Sequence, residues 1–167
     1  VPKLSYLKTL ADQLADLRYN QFQLYIESRV YAYKGLEEYL VGQDVLTCEE
    51  IQELDEYCKE RFIDLVPNQN SLGHMQPWLC LPDFAPLGIT REDGAKTTTM
   101  DPLNPGSIAL VERIYNGMMD AYSSKLMNIG MDEPFELGMG QTKEACEKYG
   151  VGTVYTDYLN KVIALTK

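Results

Sequence analysis

The chain has 167 residues, 45 % hydrophobic and 24 % charged, which allows one domain with a sizeable core and argues against intrinsic disorder. Asp and Glu number 25 against 15 Lys and Arg, a formal net charge of −10 that argues against nucleic acid and anionic membranes as partners. No apolar run approaches the ~20 residues that span a bilayer, and no basic segment with an apolar run behind it opens the chain.

Leu4, Leu7, Leu10, Ala11, Leu14 and Leu17 recur at helical spacing and predict an amphipathic helix over 4–18, with Asn20 as its left-handed stop. Residues 22–27 alternate as a strand, with Phe22, Leu24 and Ile26 on one face and Gln23, Tyr25 and Glu27 on the other. A tyrosine-rich structured loop follows over 28–46. Thr47-Cys-Glu-Glu50 is a capping box that opens a helix to about Arg61. Residues 62–67 form a second short strand, closed by Pro67.

The stretch 68–104 is proline-rich and has little periodicity, which marks a functional or disordered segment; Trp78 and Phe84 argue against disorder. Asn104-Pro105 caps a helix carried by Ile108, Val111, Ile114, Tyr115 and Met118 to about Tyr122. A third strand is expected over 125–130, then a turn-rich loop over 131–140. Helical segments fill about 141–148 and 152–166. Strands that alternate with helices argue for an α/β fold, a parallel sheet with right-handed crossovers. Three strands among four helices make an odd complete domain but a natural segment of a (β/α)₈ barrel. The whole of 1–167 then reads as one partial barrel segment. The opening Val1-Pro2 fits a processed chain or an excised piece.

Each expected strand has a polar face: Gln23, Tyr25 and Glu27; Asp64, Val66 and Asn68; Asn128, Gly130 and Asp132. Sheets covered on both sides are usually apolar throughout, so these faces are expected to line a lumen, with Leu24, Ile26, Ile63, Leu65, Met127 and Ile129 buried under helices. Glu27, Asn68 and Asp132 collect at C-terminal strand ends, where parallel α/β folds bind ligands. The sharpest signal is Asn128-Ile-Gly-Met-Asp-Glu-Pro134. Regular alternation sends Asp132 and Glu133 to opposite faces, so the strand must break for both to serve one site. Pro134 is expected to hold Glu133 extended. The only histidine, His74, follows the second strand closely. The four cysteines, at 48, 58, 80 and 146, lack paired metal-ligand spacing and read as ordinary thiols, so no metal site is expected. The Gly138-Met-Gly140 and Gly150-Val-Gly152 pairs complete no phosphate-loop pattern.

Leu126-Met-Asn-Ile-Gly-Met-Asp-Glu133 resembles the His-Ile-Gly-x-Asp-Glu signature of family 20 glycoside hydrolases, the β-N-acetylhexosaminidases. Val66-Pro67 through Leu72-Gly73-His74 resembles that family's Pro-Glu…Pro-Gly-His segment, and the likeness covers nearly the whole chain. Asn128, Asn68 and Leu72 depart from it, standing where the family has His, an acidic residue and Pro. The resemblance implies a TIM barrel, of which this chain would hold the second to fourth strands. It implies substrate-assisted retaining hydrolysis of terminal N-acetylhexosamine from glycans, with no cofactor. Glu133 would be the acid/base and Asp132 would orient the acetamido group. His74 would tune the proton affinity of Glu133, with Glu27 as its carboxylate partner and Asn68 nearby. The alternatives are a non-catalytic carbohydrate-binding or structural α/β module, and a barrel glycosidase of another clan. The isolated segment is expected to be inactive, and to self-associate or contact the rest of its barrel.

Overall fold

In the computed structural model, which describes residues 1–95 and 97–167, the elements follow in the order α1 (Leu4–Asp16), β1 (Gln21–Gln23), α2 (Cys48–Lys59), β2 (Asp64–Val66), α3 (Gln76–Leu79), α4 (Pro105–Met118), α5 (Lys143–Tyr149) and α6 (Val151–Ala164). Contacts divide the chain into two compact units. One is Val1–Asn68 with Arg113–Asn128; the other is Gln69–Glu112 with Ile129–Lys167. The boundary falls inside α4, whose first half belongs to the second unit and whose second half belongs to the first. No helix among the described residues is long and apolar enough to cross a membrane.

In the first unit β1 and β2 pair in parallel, with Gln21 opposite Asp64, Phe22 opposite Leu65 and Gln23 opposite Val66. Paired residues in a parallel ladder share a face, so the polar and apolar faces fall as the alternation requires. The two helices preceding these strands end in the same way. At the end of α1, Arg18 N–H donates to Ala15 O and Tyr19 N–H to Leu14 O; at the end of α2, Phe62 N–H donates to Lys59 O and Ile63 N–H to Cys58 O. Both are Schellman closures, and the left-handed residues are Arg18 (φ 63°) and Phe62 (φ 59°). The stop of α1 is therefore Arg18, not Asn20. Because Phe62 is consumed by the helix end, it stands 90 % exposed and β2 starts only at Asp64. The buried Ile63 and Cys58 supply the apolar contact that accompanies such a closure.

The capping box of α2 is complete: Thr47 Oγ1 accepts from Glu50 N–H, and the Glu50 carboxylate accepts from Thr47 N–H. Ile51, Leu54 and Cys58 form its buried stripe. Burial pushes the Cys58 thiol up to about 11, which leaves it an unreactive packing group. The inter-helix face of α1 and α2 is polar at its rim, where Tyr57 Oη and Arg61 Nε both donate to Asp12.

Two expectations for the sheet fail. The third strand is reduced to a single parallel bridge, Asn68 with Asn128. Ser124 Oγ accepts from Leu126 N–H while donating to Asp64, and Gly130 is left-handed, so the backbone turns away from a ladder at both ends of the run. Of the residues expected under helices, Ile26, Ile63 and Leu65 are buried, whereas Leu24, Met127 and Ile129 are half-buried. For Leu24 the cause is an open apolar cleft of about 410 Å³, lined by Leu7, Leu10, Phe22, Leu24, Ile26 and Leu46.

The polar ends of the first unit do come together. Gln23 Oε1 accepts from Asn68 Nδ2 and from Asn128 Nδ2, each at 3.0 Å. One side chain thus ties β1 to the residues after β2 and to the bridge residue.

In the second unit the described residues of the long stretch after β2 include two short helical turns, Gln76–Leu79 and Ala85–Leu87. Trp78 and Phe84 are buried edge to face at 6.0 Å, and Gly88 pairs with Met100 in an antiparallel bridge. Asn104 Oδ1 caps α4 through Gly106 N–H, with Pro105 at the first helical position.

Candidate active site

Asp132, Glu133 and His74 are brought together within the second unit. His74 Nε2 lies 3.2 Å from Glu133 Oε2 and 3.6 Å from Asp132 Oδ2. Consecutive residues of a regular strand cannot present both carboxylates to one ring, and the break that permits it is in the backbone. Glu133 has φ 47°, and His74 has φ 56°. Left-handed backbone at residues with side chains costs of order 1–3 kcal/mol and persists only where the surroundings over-determine it. Pro134 does not hold Glu133 extended, as its steric preference alone would require; Phe135 N–H donates to Glu133 O at 2.8 Å and closes a tight turn over the proline.

Two glycines supply the closeness. A Cβ on Gly73 would sit 2.1 Å from Asp132 O and 3.0 Å from Glu133 C and O. Gly130 is left-handed, and a Cβ there would sit 2.3 Å from Asn70 Oδ1 and 2.6 Å from Asn70 Cα. The loop 69–74 and the segment 129–133 are therefore in backbone contact at two points. Ser71 adds a third, its N–H donating to Gly130 O and its Oγ to Ile129 O. From the other side, α6 reaches both segments with tyrosines one turn apart: Tyr155 Oη donates to Met131 O and Tyr158 Oη to Ser71 O.

The side chains differ in exposure. His74 is 23 % exposed, Asp132 49 % and Glu133 57 %. The elements of this chain hold the acidic pair at their backbone and leave its carboxylates open. Glu27 and Asn68 belong to the first unit, where Glu27 accepts from Tyr25 Oη and Asn68 donates to Gln23. Among the described residues no three His, Cys, Asp or Glu side chains gather as metal ligands.

Reading the sequence missed Glu136. It is 2 % exposed, and its carboxylate accepts from Thr98 N–H, from the hydroxyls of Thr98 and Thr99, and from Arg91 Nη1 at 3.2 Å. Burial pushes this carboxyl up, but the hydrogen bonds from Thr99, Thr98 and Arg91 together outweigh it and hold the group below its ordinary value of 4.5. Partners 37 and more residues away leave no local pattern; the Thr97-Thr98-Thr99 run was the only trace.

Residues 3–150 match the model of the glycosyl hydrolase family 20 catalytic domain. Among solved structures, the chain is similar to an exo β-N-acetylglucosaminidase from Vibrio harveyi, solved with N-acetylglucosamine, at 17 % identity and a TM-score of 0.78 over 99 % of this chain and 32 % of that one. It is similar to the chitobiase of Flavobacterium johnsoniae at 21 % identity and a TM-score of 0.77, over 99 % of this chain and 28 % of that one. A mutant Streptomyces plicatus β-hexosaminidase in complex with its product GlcNAc aligns at 14 % identity and a TM-score of 0.75, over 98 % and 34 %. At these identities the likeness fixes the fold: parallel α/β, the architecture of a partial (β/α)₈ barrel. The chain spans about a third of the length of the proteins it matches.

Proposed function

Because the chain belongs to glycosyl hydrolase family 20, we propose that it carries the acid/base end of a catalytic barrel that removes terminal N-acetylhexosamine from glycans. The observation that supports this most is the convergence of Asp132 and Glu133 on His74 through a left-handed backbone. Glu133, with His74 against it, protonates the leaving oxygen and then activates water. Asp132 accepts from the acetamido N–H, so that the substrate's own carbonyl oxygen attacks the anomeric carbon. The positive charge on the resulting ring is balanced by the same carboxylate, in the substrate-assisted exception to the two-carboxylate scheme. Binding of N-acetylglucosamine in the Vibrio harveyi relative agrees with an acetamido-bearing substrate.

The test is Asp132→Asn in the complete encoded protein, assayed on a pair of aryl glycosides with and without the acetamido group. The wild type is expected to hydrolyse only the acetamido substrate, and Asp132→Asn is expected to lower that rate by about 10²-fold or more, the scale of one preorganised charge contact. Equal hydrolysis of a substrate without the acetamido group would favour a glycosidase of another clan and sink the substrate-assisted reading.

The 167-residue segment by itself should be inactive. Among its described residues β1 pairs only with β2, which leaves strand edge to cover. Light scattering is expected to show self-association that buries on the order of 1,000 Å² or more. A well-folded monomer that turns over N-acetylhexosaminides at about 1 per second or faster would refute this.

A further inference from the structure

We propose that Glu136 is a positioning residue for the Glu133–His74 pair; the inference rests on the reading of Glu133 as the acid/base. The two members of the pair sit on separate segments, and Glu136 closes a ring between them. On one side the chain runs from Glu133 through Pro134 and Phe135 to Glu136. On the other, Glu136 accepts from Thr98 N–H at 3.3 Å and from Thr98 Oγ1 at 3.0 Å, and Thr98 O accepts from Met75 N–H at 2.8 Å, next to His74. The ring closes where His74 Nε2 meets Glu133 Oε2 at 3.2 Å.

The loop carrying His74 is clamped at both ends by the same segment. Met75 N–H donates to Thr98 O, and Met100 N–H donates to Leu72 O. Gly73 and His74 lie between these two bonds. Whatever holds 98–100 in place therefore holds the backbone that carries His74, and the Glu136 carboxylate is a buried polar anchor of 98–99. Its other donor, Arg91, is itself fixed by Asp93 at 2.6 Å and 3.0 Å. A buried carboxylate is costly unless its oxygens are satisfied. Four donors converge on this one, three residues from a left-handed Glu133, whereas an apolar side chain would fill the same space without them.

The geometry gives Glu136 a role distinct from bulk stability. Glu133 is mostly solvent-exposed in its own right, so its aim depends on the two backbones beneath it. Proton transfer to a leaving group falls steeply with misplacement, and a shift of about 1 Å costs roughly 10²-fold. The need for that proton grows as the leaving group becomes poorer. Loosening the ring should therefore cost poor leaving groups far more than good ones.

The experiment measures kcat/KM in the complete encoded protein for an alkyl N-acetylhexosaminide and for its 2,4-dinitrophenyl counterpart. The variants are Glu136→Gln, Thr99→Val, Glu133→Gln and the double variant Glu133→Gln/Glu136→Gln. Glu136→Gln preserves volume but cannot accept on both ends, and Thr99→Val removes a single hydroxyl. Each is expected to lower kcat/KM on the alkyl substrate by about 10-fold or more, and on the dinitrophenyl substrate by less than about threefold. In the Glu133→Gln background, Glu136→Gln is expected to add nothing further, since the group it aims is already gone. Equal losses on both substrates that follow the fall in melting temperature, or a full additional loss in the double variant, would overturn the positioning role. Should Glu136→Gln fail to fold, Thr99→Val decides by the same criterion. If Glu133→Gln shows the leaving-group dependence and the Glu136 and Thr99 variants do not, only the positioning role falls. If Glu133→Gln lacks it, the acid/base reading falls with it.

Discussion

Exchange of Glu133 for Gln in the complete protein is expected to lower kcat/KM on alkyl N-acetylhexosaminides by about 10³-fold, within the range general acid catalysis supplies. The loss is one of proton supply. An alkoxide leaving group needs its proton in the transition state, and Glu133 is the carboxyl that the left-handed turn at the end of 129–133 presents beside His74. Gln has the same size and no proton to give, so the loss should appear in the chemical step rather than in folding. With a 2,4-dinitrophenol leaving group the same variant should lose far less, because that phenolate departs unprotonated. Steady-state kinetics on the two substrates reads the difference directly. Near-native rates on the alkyl substrate would remove Glu133 from the role.

Placing even a methyl group at position 73 is expected to damage the second unit severely. The Cβ of Gly73→Ala would sit 2.1 Å from a backbone oxygen, that of Asp132, and 3.0 Å from the carbonyl of Glu133. Backbone atoms cannot swing away as a flexible side chain can. The two segments must part, and the Ser71 bonds to Ile129 and Gly130 are strained with them. A destabilisation of about 3 kcal/mol is expected, a fall in melting temperature on the order of 10 °C. Gly152→Ala is the control: nothing lies within 4 Å of a Cβ there, and the residue is inside α6. That change, in the first turn of α6, should leave stability unchanged or raise it by up to about 0.5 kcal/mol through helix propensity. Thermal melts of the pair decide the matter, and a Gly73→Ala protein that melts with the wild type would mean the two segments are not in the contact described.

The helices were readable because their signals are local. Thr47 and Glu50 announce a capping box three residues apart, and both bonds form. The parallel pairing of β1 with β2 was readable in the same way, through alternation that survives in the register. Position 125–130 has the composition of a strand but not its partners: the Ser124 bend and the left-handed Gly130 act on the backbone at either end. The need for a break beside the Asp-Glu pair was legible. The form of the break was not, since a φ of 47° before a proline goes against the local steric preference and is imposed by contacts from Gly73, sixty residues away. Glu136 was hidden for the same reason. A carboxylate among Phe135, Leu137 and Gly138 reads as surface, and only the fold reveals four donors around it.

The division of α4 between the two units bears on synthesis. The first unit needs Arg113–Asn128, and these residues leave the ribosome only after Gln69–Glu112, the whole first stretch of the second unit, has emerged. Until then Gln23 lacks Asn128, one of its two amide donors, and β2 lacks the Ser124 hydroxyl that donates to Asp64. The second unit in turn waits for Ile129–Lys167, which brings Glu136 to Thr98 and the α6 tyrosines to Met131 and Ser71. Neither unit can be finished by the nascent chain before the other is well under way, and no single truncation point isolates one of them from residues of the other.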